Sequence, residues 1–388
     1  MNLTIKTLIK ISICTVFALL YNINVNAQAT LVQKTIDKIK SYKNLSYQHL
    51  SKVKESFTND TLTRQSKNFI LKAPDDKTLG YLYRTETLNK AGNSVSTEFY
   101  NGKNLIRINQ ADSTYLIDEI NGKAVMGLLT DLNWIKDFAV KQSSKMVIAN
   151  DTIINAITCS HLIINYRDTI INNEHLYTRF HLFIDKVSDM PVYLIRNVRS
   201  ADIGNAVTNY YSKDSYFDYK FDQNDISVAD WVIPNGFHEK IDEPEIPLLP
   251  VGSIAPDFVL DGVDGKKITL SKLRGKVVLL DYFFVGCYPC MLSLKPLNSI
   301  HEKYKNQNVA IVSLTERDNE KVVAEFRKNY NIKYPIYVNG RDAVKSYHVR
   351  GFPTFYFIDK EGKIANVFVG YGDDFEEKVT SVIDKLLK

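Results

Sequence analysis

The stretch Val277-Val278-Leu279-Leu280-Asp281-Tyr282-Phe283-Phe284-Val285-Gly286-Cys287-Tyr288-Pro289-Cys290 decides how the second half of this chain is read. An apolar run of this length and β-branched content, closed by Gly286, predicts a buried strand over Val277 to Phe284. The residues after Cys290 carry apolar positions at helical spacing to about Tyr304. A Cys-x-x-Cys therefore stands where a strand turns into a helix. There the unpaired backbone N–H groups and the helix dipole favour an anion, so the thiol of Cys287 is expected to ionise more easily than a free cysteine and to act as nucleophile. Three residues on, Cys290 lies on the same end of the helix, turned inward, and is the expected resolving thiol. A redox-active disulfide Cys287–Cys290 follows.

Outward from this site the pattern repeats. A second apolar strand is predicted over Val309 to Leu314, a helix from Asn319 to Tyr330, strands near Pro335 to Val338 and over Thr354 to Ile358, and a hairpin turn at Glu361 and Gly362. A last helix is predicted from the capping pattern of Asp373 with Glu376, running through Phe375, Val379, Val382 and Leu386. Alternating strands and helices imply an α/β fold with a central mixed sheet flanked by helices. Upstream, Val32, Ile36 and Ile39 recur at helical spacing. From Asn68 to Thr114 and from Met146 to Phe221, short alternating runs separated by Asn-Gly and Asn-Asp turns read as antiparallel strands, with a helical stretch around Asp131 to Val140 between them. This half reads as α+β, mostly antiparallel sheet. Pro244, Pro247, Pro250 and Pro256 mark a semi-rigid spacer. The predicted organisation is a signal peptide over 1–29, a β-rich domain without a catalytic motif over 30–240, a Pro-rich linker over 241–256 and a redox domain over 251–388.

The start of the chain reads as a cleavable secretory signal: Lys6 and Lys10, then the apolar run Ile11 to Tyr21, then Ala27 and Ala29 as small residues for cleavage. The run is too short for a bilayer core of roughly 30 Å, which needs about 20 residues. Export from a bacterial cytoplasm to the periplasm is expected. The net charge of +5 drops by the two lysines of the signal to +3, with both signs interspersed, so no nucleic-acid partner is implied. With Cys14 inside the signal, the exported chain keeps Cys159, Cys287 and Cys290, a count that suits one redox pair beside a core thiol at Cys159 better than a disulfide-stapled scaffold. Zinc needs about four ligands, and the chain offers one cysteine pair and seven scattered histidines, so neither a metal nor an organic cofactor is expected. A structural disulfide spanning so short a loop would stabilise little.

Residues 251–388 resemble the TlpA/ResA branch of the thioredoxin superfamily. The resemblance rests on Pro250 to Gly252, Ala255 to Phe258, Asp264-Gly265, Leu270 to Lys276, the Cys-Tyr-Pro-Cys site, Gly351 to Thr354, and Phe357 to Lys363. It implies a thioredoxin-like fold and a thiol-disulfide oxidoreductase acting on protein disulfides, re-reduced by a membrane electron donor. It also implies that Pro353, preceded by Phe352, is a cis-proline presenting backbone to an incoming peptide, with Tyr288 and Pro289 beside the sulfur. Asp281 matches the position of a buried acid behind the second cysteine, where burial would raise its pKa and suit it as a base for Cys290. The family usually has Trp where Gly286 stands, which removes an aromatic wall beside Cys287. A peroxidase of the peroxiredoxin type, which shares the stretch through Phe258, is the enzymatic rival. It would need a hydroxyl residue at the position of Phe284 and a proline near Leu280. The N-terminal half resembles LolA-type carriers, half-open barrels with a lipid-sized groove, through its leading helix, its long strands and the stretch Phe183 to Lys186 and Met190 to Val192. That resemblance implies an apolar ligand or a partner protein, with the redox domain as an accessory in that alternative.

Overall fold

The computed structural model describes residues 27–54, 61–120, 127–203, 206–240 and 246–388. Nearly all of the expected signal peptide lies outside them. The chain divides near residue 242 into two compact units.

The N-terminal unit opens with a helix over residues 27–41 (α1). Its strands are β1 (Asn44–Lys54), β2 (Thr61–Lys72), β3 (Tyr81–Leu88), β4 (Ser94–Tyr100), β5 (Asn104–Asn109), β6 (Thr114–Glu119), β7 (Met146–Ile154), β8 (Ile157–Ile171), β9 (Glu174–Asp185), β10 (Pro191–Ile203), β11 (Ala206–Phe221) and β12 (His238–Glu239), with a second helix, α2 (Leu128–Lys141), after β6. They form one twelve-stranded sheet in the order β12-β6-β5-β4-β3-β2-β1-β11-β10-β9-β8-β7. Two meanders thus join where β1 pairs antiparallel with β11. The sheet begins at Asn44, well before the Asn68 expected from the sequence. β1 and most of β2 precede Asn68, and β2 carries Arg64, Gln65, Ser66, Lys67 and Asn68 with no apolar alternation until Phe69.

Val32, Ile36 and Ile39 of α1 and Leu128, Leu129, Leu132, Ile135 and Ala139 of α2 pack against Tyr47, Ile70, Leu162, Ile164, Leu182 and Leu194 of the sheet. Each Val, Leu or Ile side chain so buried contributes roughly 1.5–3 kcal/mol. Beside this apolar layer runs a charged one. Arg196 donates to Asp131 of α2 at 2.9 Å and to Asp214, and the other oxygen of Asp214 meets His49 Nε2 at 2.9 Å. Burial opposes ionisation of Asp214, but the hydrogen bonds from His49 and Ser51 and the charge of Arg196 outweigh it and hold its pKa down. Cys159 is a free, fully buried thiol packed with Phe183 and Val192.

In the C-terminal unit the strands are β13 (Val259–Gly262), β14 (Lys267–Thr269), β15 (Val277–Tyr282), β16 (Val309–Leu314), β17 (Ile336–Val338), β18 (Thr354–Ile358) and β19 (Ile364–Val369); the helices are α3 (Tyr288–Tyr304), α4 (Glu320–Asn329), α5 (Arg341–Ser346) and α6 (Phe375–Leu387). The sheet order is β14-β13-β17-β16-β15-β18-β19. β15, β16 and β17 run parallel, and the outer strands join them antiparallel. All six residues of β15 are buried, which is why its sequence reads as an unbroken apolar run. Val277 and Leu279 face a core built with α3, α4 and α6, whereas Val278, Leu280 and Tyr282 face a second core containing Ala343, Val344 and Tyr347.

Two expectations need correction. The N-cap of the last helix is Asp374, one residue later than the pattern of Asp373 and Glu376 places it, and it makes no side-chain capping bond. Its carboxylate pairs instead with Lys378 at 2.8 Å, one turn on. The expected spacer over 241–256 lies partly outside the described residues, and from Pro247 onward it is fastened to the C-terminal unit. The Pro247 carbonyl meets His348 Nδ1 at 2.9 Å, Leu249 N donates to the Tyr356 hydroxyl at 3.1 Å, and Gly252 N and Ala255 N donate to Ile364 O and Gly362 O at 2.7 and 3.0 Å. Proline has no N–H, so the residues between the prolines supply the donors, while Leu248 and Leu249 pack on the second core.

Candidate active site

Cys287 occupies the N-cap of α3, in an extended backbone conformation, and its sulfur accepts the N–H of Cys290 at 3.3 Å. Its carbonyl accepts from Met291 N at 3.0 Å, and its own N–H turns back to Phe284 O at 3.2 Å. Pro289 falls in the first turn, where a missing N–H costs no helical hydrogen bond. Cys287 and Cys290 are joined by a disulfide with a Cα–Cα separation of 5.2 Å. Both are buried, whereas Tyr288 and Pro289 are exposed. The site therefore presents the ring of Tyr288 to solvent above a largely covered disulfide.

Asp281 is the fifth of the six residues of β15 and alternates onto the same face as Val277 and Leu279, whose core cluster includes the two cysteines. It is buried, and its pKa is pushed up to about 7 by loss of solvent, opposed by the hydrogen bond that Ser313 donates to one carboxylate oxygen. Ser313 stands opposite it on β16. The other oxygen, Oδ1, has no hydrogen-bond partner among the described residues. Such a carboxyl exchanges its proton near neutral pH and can serve as acid or base.

The Phe352–Pro353 peptide is cis. Thr354 follows as the first residue of β18, and Gly370 N donates to Pro353 O at 2.8 Å. The Phe352 ring meets Phe284 edge to face at 5.4 Å, which brings the segment before the disulfide and the segment before Pro353 together. Gly286 adopts φ 90°. An L side chain, Trp included, is strained in that backbone, so the glycine sets the path of the chain into Cys287 as well as leaving out a wall.

Ser313, Arg317 and Asp318 were not singled out by the sequence. The carboxylate of Asp318 accepts Val285 N at 2.9 Å and the Thr315 hydroxyl at 2.8 Å, tying the β16–α4 loop to the segment before Cys287. The contact with Val285 spans 33 residues of chain, so no local pattern signals it. Among the described residues no group of three or more His, Cys, Asp or Glu side chains is gathered in a way that could hold a metal ion.

Residues 251–367 match the AhpC/TSA family. The thiol-disulfide oxidoreductase ResA of a Bacillus cereus strain is 32% identical over 139 residues, covering 36% of this chain and 79% of that protein. ResA of Bacillus subtilis is 34% identical over 120 residues, covering 31% of this chain and 67% of that protein. Among solved structures, the thioredoxin domain of a thiol-disulfide oxidoreductase from Bacteroides vulgatus is 25% identical and covers 35% of this chain and 99% of that one, with a TM-score of 0.33. A disulfide-linked cysteine pair at a helix N-terminus and this degree of identity over most of ResA agree: the chain belongs to the thioredoxin-like thiol-disulfide oxidoreductases of the ResA type.

Proposed function

We propose that the protein is an exported reductase of protein disulfides, with Cys287 as nucleophile, Cys290 as resolving thiol and Asp281 as the base that serves Cys290. The observation that carries this reading is the sulfur of Cys287 at the mouth of α3, accepting the Cys290 N–H, where a thiolate gains from the helix terminus.

In the reduced enzyme the Cys287 thiolate attacks one sulfur of a substrate disulfide. A mixed disulfide forms, and the other substrate sulfur leaves as a thiolate that takes a proton from solvent. Cys290 then gives its proton to the Asp281 carboxylate and attacks Cys287. The bond between Cys287 and the substrate breaks, and the second substrate sulfur leaves and is protonated. Two electrons have passed from the dithiol to the substrate, and an external dithiol donor at the membrane restores the enzyme. Phe352 and Pro353 offer backbone for the substrate to lie along, beside Tyr288 and Pro289. Lys6, Lys10 and the apolar run to Tyr21 support export. No helix among the described residues is long and apolar enough to cross a membrane.

Direction is the part most easily tested. Reductants near about −270 mV and oxidants near about −120 mV use this chemistry, so a potential for the Cys287–Cys290 couple above about −150 mV overturns the reductase reading in favour of an oxidase. Cys290→Ala should trap mixed disulfides through Cys287, and mass spectrometry of the adducts identifies substrates. A second reading concerns residues 30–240. A cavity of about 370 Å³ lined by Leu50, Ile157, Met190, Val192, Tyr193 and Phe217 supports the LolA-like alternative of an apolar ligand. Saturable uptake of a fluorescent fatty acid by the full chain, competed by unlabelled lipid, would favour it, and an absence of uptake would remove it.

A further inference from the structure

Arg317, in the loop between β16 and α4, places its guanidinium against the two aromatic rings of Phe284 and Phe352. The guanidinium carbon is 4.4 Å from the centroid of Phe284 and 5.1 Å from that of Phe352. Phe284 stands three residues before Cys287, and Phe352 immediately precedes Pro353. One cation is thus held where the two segments that flank the sulfurs converge. The loop beneath it is fixed, because Asp318 is engaged by Val285 N and the Thr315 hydroxyl, while Thr315 Oγ1 accepts Arg317 N at 3.2 Å.

A guanidinium held by attraction to aromatic rings keeps N–H donors that an acceptor can still engage. The Arg317 side chain is 53% exposed, and its ion pair with Glu316 spans 3.9 Å, at the outer limit of such a contact. Asp318 is committed to the loop. A half-exposed guanidinium fork therefore stands against Phe284 and Phe352, the residues that precede the Cys-x-x-Cys turn and the cis-proline. Carboxylates fit such a fork in a bidentate manner, and a lysine or arginine brought to the same place is repelled.

We infer that Arg317 is a specificity-determining residue that selects substrate proteins carrying an acidic side chain next to the cysteine under attack. The inference rests on the proposed reductase chemistry and on substrate lying along Phe352.

The test uses the reduced full-length protein and three disulfide-linked peptides that differ only in the residue adjacent to the cysteine, Glu, Gln or Lys, with kcat/KM measured for each. The Glu peptide should be preferred over the Lys peptide by about tenfold at low ionic strength, and the ratio should shrink toward one in about 1 M salt. Arg317→Glu should invert the order. Arg317→Lys should keep the order with a smaller ratio, because it loses the planar fork. Equal rates for all three peptides with the wild-type protein, or an order unchanged in Arg317→Glu, overturn the inference while leaving the reductase reading in place. Failure to reduce any of the three removes both. If Arg317→Glu does not fold, the wild-type ratio and its salt dependence decide the question.

Discussion

Asp214 in the N-terminal unit and Asp281 in the C-terminal unit are both buried carboxyl groups on a sheet, and their surroundings differ in kind. Asp214 is held between Arg196 and His49, with a pKa below the ordinary carboxylate range. Asp281 has one hydroxyl for a partner, one oxygen without any among the described residues, and a pKa near 7. A buried charge with two cationic or hydrogen-bonding neighbours stabilises an arrangement of elements, here β1, β10, β11 and α2. A buried acid left nearly alone is costly to ionise and is therefore free to move a proton.

The same replacement made at both positions tests this contrast. Asp281→Asn should slow disulfide exchange by about a hundredfold through loss of the base, read as single-turnover resolution of a mixed disulfide. It should also make the protein more stable at pH 8. The folded-state pKa of Asp281 is raised above the value of 3.8 for a free aspartate, so wild-type stability falls as pH rises from about 4 to about 7. The neutral amide escapes that loss, which is on the order of 4 kcal/mol. Urea unfolding of both proteins at pH 8 and pH 4 checks the sign, and the difference should vanish at the lower pH. Asp214→Asn should do the reverse: destabilise by about 1–2 kcal/mol at pH 7, because Arg196 keeps only Asp131 as a charge partner and His49 loses its carboxylate, with exchange activity retained. Because the Asp214 pKa is depressed, the wild-type advantage persists until pH falls below about 4. If the two replacements shift stability in the same direction, the distinction between the two carboxyls collapses.

Smaller effects sharpen the picture of the C-terminal unit. Gly286→Ala should cost about 1–2 kcal/mol, since φ 90° is closed to an L residue without strain. Asn319→Ala should cost about 1 kcal/mol by removing the side-chain cap that accepts Val322 N at 3.0 Å. Thermal unfolding of each variant measures the cost.

The strands Val309–Leu314 and Thr354–Ile358 and the end of α3 at Tyr304 fall where the sequence places them, because strands buried on both faces and a helix with one buried stripe leave strong periodic signals. Asp281 stood out for the same reason, as one acid in an apolar run. The short helix α5 left no such trace, since six residues make less than two turns and bury only Ala343 and Val344. Polar β2 escaped because its strand character comes from pairing with β1 and β3 and not from alternation. Arg317 is silent in sequence for a further reason: its position depends on three loops meeting, and nothing local distinguishes it from any exposed arginine.

The stretch from Pro247 to Ala255, and α6 at the other end, have a practical consequence for anyone who would cut this chain. Similarity to the AhpC/TSA family stops at residue 367, yet Phe375, Val379 and Ile383 complete the core behind the redox helix, and Leu248 and Leu249 cover the opposite face of the sheet. The piece with a continuous core is thus wider than residues 251–367 on both sides, and a fragment trimmed to that stretch would expose two hydrophobic surfaces.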